Sequence, residues 1–305
     1  MNLDGKQVQR WSEAMGRRVV GERQAEVLAY EQGRRPESPA NAPQVLVIGV
    51  DGGRVQTRQK DEETASRWRE DKVVTVTTYL RGDGQDRKPQ KLVTSHVATM
   101  EDAHVFGKLA RVEAERRGIR SAEEAVLMGD CGNWIDPLGQ REFPHLPRIA
   151  DYDHAVEHLW EATRAVLGVD DAGVGPLAGR LEGWLYDGKL TEVIGFLETE
   201  SAKLGPVREG DGEHHPRRVL AVNAGYFKRN QQHMNYPEYR RKGWPIGSGN
   251  TEAGVKQFNK RVKGTEQFWE ISGVETILAL RGLWISQDER WPKYWAARPA
   301  YSKAA

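Results

Sequence analysis

The tightest constraint on this chain is the run QVLVIGVD at residues 44–51, which has no polar side chain between Gln44 and Asp51. An uninterrupted, largely β-branched run of that length has no solvated face, so it reads as a central strand buried on both sides. VVTVTTYL (73–80) and KLVTSHVA (91–98) read as two further strands, separated by the turn-rich RGDGQDRKPQ. The three together predict an antiparallel meander. EDAHVFGKLARVEAERRG (101–118) is an amphipathic helix stopped by Gly118. AVLMGDCG (125–132) is another buried strand carrying an acid, Asp130. LPRIADY (146–152) is a short strand that leads into Asp151 and then the helix DHAVEHLWEATRAVLG.

This order predicts an α/β fold, a mixed five-stranded sheet with flanking helices. Residues 1–43 form an N-terminal helical segment and a Pro-rich linker, EQGRRPESPANAP, readable as the remnant of a DNA-binding region. Residues 44–168 form the first part of the core. Residues 169–238 lack strand signals and read as a helical insertion, and 239–305 complete the core with C-terminal helices.

The single cysteine, Cys131, excludes an internal disulfide and a cysteine zinc cluster. The opening MNLDGKQVQRWSEAMGRR has no apolar run of the kind a secretory leader needs, and no stretch approaches the ~18 apolar residues of a membrane span. The expectation is a cytoplasmic, nucleoid-associated protein with no membrane partner.

Asp51 and Asp130 each stand where a buried run gives way to polar sequence. A side chain there is held rigidly yet opens onto a crevice. Two carboxylates ~4 Å apart repel by ~4 kcal/mol at a typical effective dielectric, so a cation between them is what keeps both ionised. Oxygen donors suit Mg²⁺ or Mn²⁺. Two such ions ~3.5–4 Å apart serve both the attacking and the leaving oxygen in phosphodiester chemistry. Either Asp alone is equally readable as a turn residue, and DGG (51–53) is a common turn sequence.

In PIGSGNTEAGVKQFNKRVKG (245–264), Ser248 or Asn250 is placed to cap a helix with Glu252 in its first turn. Glu252, Lys256, Asn259 and Lys263 then share one face. That face suits a metal-binding carboxylate beside a row of phosphate-binding side chains; it equally suits an i,i+4 ion pair on a solvated helix. Between Arg240 and Lys263 the chain carries Arg240, Arg241, Lys242, Lys256, Lys260, Arg261 and Lys263 against Glu252 alone, although its net charge is only +1. Such clustering is the electrostatic footprint of a nucleic-acid backbone. Trp244, Phe258, Phe268 and Trp269 interleave with these charges and read either as core or as stacking surfaces for unpaired bases. A rival constellation, His154-Ala-Val-Glu157-His158, fits the H-x-x-E-H pattern of a zinc metallopeptidase, but no third ligand is distinguishable.

Four segments together resemble the DDE transposases of bacterial insertion sequences, in particular the Kra-type group: VDGGRVQTR (50–58), GDCGNWI (129–135), RIADYDHAVEHLW (148–160) and, most specifically, HMNYPEYRRKGWPIGSGNTEAGVKQFNKRVKGTEQFW (233–269). The resemblance implies an RNase H-like core with an all-helical insertion before the last acid. It implies Asp51, Asp130 and Glu252 as ligands of two Mg²⁺ or Mn²⁺ ions, with Asp151 in a supporting role. The implied activity is cleavage of DNA at the element's ends followed by strand transfer to target DNA, by a homo-oligomer assembled on that DNA. Cys131 stands where that group more often has Gly. The group also carries a longer region before the first strand, which leaves open a truncated or non-catalytic DNA-binding relic.

Overall fold

The computed structural model describes residues 4–61, 64–83, 88–264 and 267–298. In chain order its elements are α1 (Gly5–Glu31), β1 (Val45–Gln56), β2 (Trp68–Leu80), β3 (Gln90–Thr99), α2 (Ala103–Arg116), β4 (Glu124–Gly129), α3 (Ile135–Glu142), β5 (Arg148–Ala150), α4 (Tyr152–Leu167), α5 (Val174–Tyr186), α6 (Leu190–Leu204), α7 (Pro216–Asn230), α8 (Tyr236–Arg241), α9 (Gly249–Val262), α10 (Ile271–Ile285) and α11 (Arg290–Ala296). The strands form one sheet in the order β3-β2-β1-β4-β5. β1, β2 and β3 are antiparallel neighbours, whereas β4 joins β1, and β5 joins β4, in parallel. This is the RNase H-like arrangement, and the run at 45–50 is its central strand.

Each face of β1 is buried by different helices. Leu46, Ile48 and Val50 pack with Phe106 and Ala110 of α2 and Leu138 of α3. Val45 and Val47 point the other way, into a core shared with Leu159 of α4 and with Leu181, Leu197 and Phe227 of the helices between 174 and 230. The insertion therefore extends the sheet's own core. Further along that second face, Val55, Val73 and Ala98 meet Val255 and Phe258 of α9 and Leu278 of α10. Burial on both faces is what the alternation-free sequence of β1 encodes.

The N-terminal helix is built into this body. Gly16 and Val19 are its buried residues, and a Cβ on Gly16 would overlap the backbone of Thr276 in α10. Arg23 reaches Ala279 O at 3.2 Å. α10 is apolar almost all round because it lies between α1, α9 and β3, and Gly282 lets it rest against the backbone of His96. Among the described residues no helix is long and apolar enough to cross a membrane.

Two boundaries differ from the sequence expectation. β1 does not end at Asp51 but continues to Gln56, and β2 begins at Trp68, so the DGG segment is strand and not turn. The extension pairs Gly52 with Lys72 and Gln56 with Trp68. Its polar sequence hides it, because no helix covers it fully and the burial pattern that marks a strand fades there.

α9 sits over the centre of the sheet because Gly49 has no side chain. A Cβ at that position would overlap Thr251 Oγ1 and press on Thr75 Oγ1. Replacing Gly49 with Ala is expected to destabilise the fold by about 1–3 kcal/mol, the usual cost of overpacking. Urea titration of Gly49→Ala, Thr251→Ala and the double variant checks this. The double variant should recover part of the loss, since the two sites are in contact.

Candidate active site

Asp51 and Asp130 come together through register. β1 and β4 run parallel, and their last pair is Val50 with Gly129, so each acid stands one residue past it. Adjacent strands lie ~4.8 Å apart. β4 stops here while β1 continues, so beyond this pair β1 has no strand on its β4 side. Asp130 is followed by Cys131 at φ 63, and Gly132 N donates to Asp130 Oδ1 at 3.0 Å. A non-glycine residue in that left-handed region is strained by ~1–2 kcal/mol, which accounts for glycine being the more natural occupant of position 131.

Glu252 is delivered by the first turn of α9. Ser248 stands at the cap position, but its hydroxyl does not cap the helix. Ser248 N donates to Asp151 Oδ1 at 2.9 Å, and its hydroxyl donates to Asp151 Oδ2. Asp151 also accepts from Asp153 N at 3.1 Å, capping α4. Buried to 2% exposure, it clasps the starts of α4 and α9 to the end of β5. The other expected cap, Asn250, instead donates to Thr77 Oγ1 at 2.6 Å and Thr94 Oγ1 at 3.1 Å, while Thr251 and Thr75 hydroxyls bond at 2.8 Å. These buried bonds fix the helix start against β2 and β3.

The acids share one electrostatic environment. Burial pushes the Asp51 carboxyl up to about 6; Gly52 N–H opposes this, Asp130 and Glu252 add to it, and His154 opposes it. Asp153 is likewise raised, by burial first and then by Asp151, Glu252 and other acids. It lies against Gly247, where a Cβ would overlap its carboxylate. Neither Asp153 nor the approach of His154 to Asp51 is signalled by the residues themselves beyond closeness to Asp151. Asp71, opposite Gly53, is a further missed acid. It is fully buried with neither oxygen bonded, and burial pushes it up to about 6.

Each acid of the expected triad is tied to a local donor. Asp51 Oδ1 accepts from Gly52 N at 2.6 Å, Asp130 from Gly132 N, and Glu252 Oε2 pairs with Lys256 Nζ at 3.0 Å. With the side chains so set, no three His, Cys, Asp or Glu among the described residues close on one metal position. The donor set is nevertheless all carboxylate oxygen and mutually repelling, which suits a hard divalent cation.

The predicted basic residues divide into two places. Lys256, Lys260, Arg261 and Lys263 belong to α9 or its end and are exposed. Arg240, Arg241 and Lys242 belong to α8 and its cap. Arg240 lies 3.5 Å over the Tyr186 ring, and Arg241 pairs with Glu238 at 2.7 Å. Trp244, next in line, bonds Glu124, the residue opposite Val45 at the start of β1. That is six residues from Asp51, or ~20 Å along a strand, so the α8 cations stand apart from the acids. Trp244 and Phe258 are core; Phe268 is exposed and Trp269 half-buried.

The zinc-type constellation does not converge. His154 Nδ1 faces Glu157 Oε2 at 3.4 Å, while His158 Nδ1 bonds Asn223 Oδ1 at 2.5 Å. The two rings meet edge to face at 4.7 Å, and His158 stacks on Tyr226 at 3.9 Å. His158 is thus part of the packing between α4 and α7.

No protein-family model matches the chain, and no match is found among curated proteins. Among solved structures it is similar to the Drosophila P element transposase strand transfer complex, at a TM-score of 0.36 and 8% identity over 83% of this chain and 80% of that one. A likeness that shallow carries no argument about the site.

Because the folded Asp51 value of about 6 lies above the ordinary 3.8, the native state binds that proton more tightly than the unfolded chain. The corresponding stability is full at acid pH and is lost as pH rises through about 6. Asp51→Asn should therefore be more stable than the parent by about 1–3 kcal/mol at neutral pH. Urea titrations should show this advantage vanish below the ordinary carboxylate value.

Proposed function

We propose that this chain is a DNA-processing polynucleotidyl transferase of the transposase type, with Asp51, Asp130 and Glu252 as its catalytic carboxylates. The observation that carries the reading is that in an RNase H-like sheet Asp51 on the central strand stands beside Asp130 just past the end of its parallel neighbour, with Glu252 delivered by the first turn of α9, and that both acids add to the burial that raises Asp51. The sequence resemblance to insertion-sequence transposases points the same way.

Asp51, Asp130 and Glu252 would hold Mg²⁺ or Mn²⁺. When bound, such ions lower the proton affinity of the attacking oxygen and offset charge on the leaving one. The chain's own part is positioning. The Asp151–Ser248 clasp sets where Glu252 enters, and Lys256 gives Glu252 a countercharge. Lys256, Lys260 and Lys263 along α9 offer ion pairs to the DNA backbone. Asp51 must be ionised to bind a cation, so proton and cation compete there and cation affinity should weaken as pH drops through about 6. The finer reading, end cleavage and strand transfer of a mobile element by an oligomer on its DNA, belongs to the same proposal.

Cleavage of a DNA duplex carrying an element end should need Mg²⁺ or Mn²⁺. Glu252→Gln should lower the rate ~10²–10³-fold, the usual loss for a group acting in the transition state, while DNA affinity by gel shift holds. Unchanged cleavage in that variant would remove Glu252 from the site. DNA binding without cleavage in either metal would instead favour a non-catalytic relic.

A further inference from the structure

Beyond Asp51 the β1–β2 hairpin continues as a two-stranded arm. Five residues separate Asp51 from Gln56, or ~17 Å of strand. The chain after α9 adds to this arm as a third segment. Trp269 N donates to Gln56 O at 3.0 Å, Arg58 N donates to Trp269 O at 2.9 Å, and Trp269 Nε1 is anchored on Val262 O at 2.8 Å. The arm is therefore braced against the end of the helix that carries Glu252.

Two rings stand out on it. Trp68 is 39% exposed and Phe268 is 42% exposed. Each already has a cation beside its face: Lys263 Nζ lies 5.3 Å from the Trp68 centroid and the Arg67 guanidinium 5.4 Å from the Phe268 centroid. Arg67 is itself held by Arg58 O at 2.6 Å. Exposed Arg54, Lys60 and Lys260 add to the charge, whereas the neighbouring acids Asp61, Glu70 and Glu270 each face a cation, Arg69, Lys72 and Arg58. Paired rings and cations, Trp68 at the start of β2 and Phe268 next to the Trp269 bridge, fit a partner that offers flat apolar faces and phosphates in alternation.

We infer that the Trp68–Phe268 arm binds unpaired DNA, stacking bases on the two rings while Lys263 and Arg67 meet the phosphates. A duplex would show the rings only phosphates and groove edges; an unpaired strand shows them base faces. At ~3.4 Å per stacked nucleotide, the arm's length reaches about five nucleotides from Asp51. The inference rests on the proposed DNA-processing site and adds to it the place where a frayed strand beside the cut is held.

The test uses the full chain without divalent metal, in the Asp51→Asn background, so that binding is read separately from cleavage. Fluorescence anisotropy would compare labelled oligo-dT with a fully paired duplex of equal length. Stacking contributes ~1–3 kcal/mol per base. Trp68→Ala and Phe268→Ala should therefore each weaken oligo-dT binding at least ~5-fold and leave duplex affinity unchanged, and Trp68→Phe with Phe268→Tyr should retain it. Equal losses on both DNAs, or no loss on oligo-dT, would overturn the inference. Neither result depends on the catalytic reading: ring-dependent binding would stand if cleavage were never seen, and cleavage would stand if the rings proved inert.

Discussion

Everything at the crevice depends on how closely α9 approaches the centre of the sheet. That approach is possible because Gly49 leaves room for Thr251 and because Gly254 lets the helix rest over Thr75 and His96. It is made specific by a polar seam, Asn250 to Thr77 and Thr94 and Thr251 to Thr75. Apolar packing alone would allow the helix to slide along the sheet, whereas buried hydroxyl and amide groups are costly to leave unbonded and so fix one register. The clasp of Asp151 on Ser248 then determines the point at which the helix begins, and with it the position of Glu252.

The second governing feature is a difference in strand length. β4 ends at Gly129 and β1 runs on to Gln56. The first fact leaves β1 without a strand on its β4 side from Asp51 onward; the second projects a hairpin beyond it. A carboxylate in that position is held above its ordinary proton affinity by burial and by its acidic neighbours. Such a group lowers stability at neutral pH, and functional sites are where that cost is commonly found. The three acids are each held by a separate local donor: two backbone N–H groups and Lys256.

Much of this was legible in the residues. The apolar run at 45–50, the meander and the strand before Asp130 each follow from burial pattern, while the parallel placement of β4 beside β1 is a tertiary pairing that succession alone does not encode. Glu252 in a first helical turn was readable from the glycines and small polar residues before it. The hairpin arm was not, because the segments that pair there, GRVQ (53–56) and WRED (68–71), are mostly polar and have the composition of a loop. The basic stretch at 240–263 read as one surface, yet Gly243 and Trp244 turn the chain so that α8 and α9 lie at different ends of β1. The role of Ser248 was misread because a residue at a cap position can spend its hydroxyl on a distant carboxylate, and sequence spacing does not record that partner. His154 and His158 fit a metal pattern by spacing, but Asn223 and Tyr226, far away in sequence, absorb one of them.

The central claim is that Asp51, Asp130 and Glu252 form one cation site. The most direct measurement is anomalous diffraction from a crystal of the protein soaked in Mn²⁺. Density is expected at the end of β4, beside the carboxylates of Asp51 and Asp130, with Glu252 as the third ligand. Density at His154 and Glu157 alone, or a crevice in which Glu252 stays paired with Lys256 while the ion binds elsewhere, would contradict it.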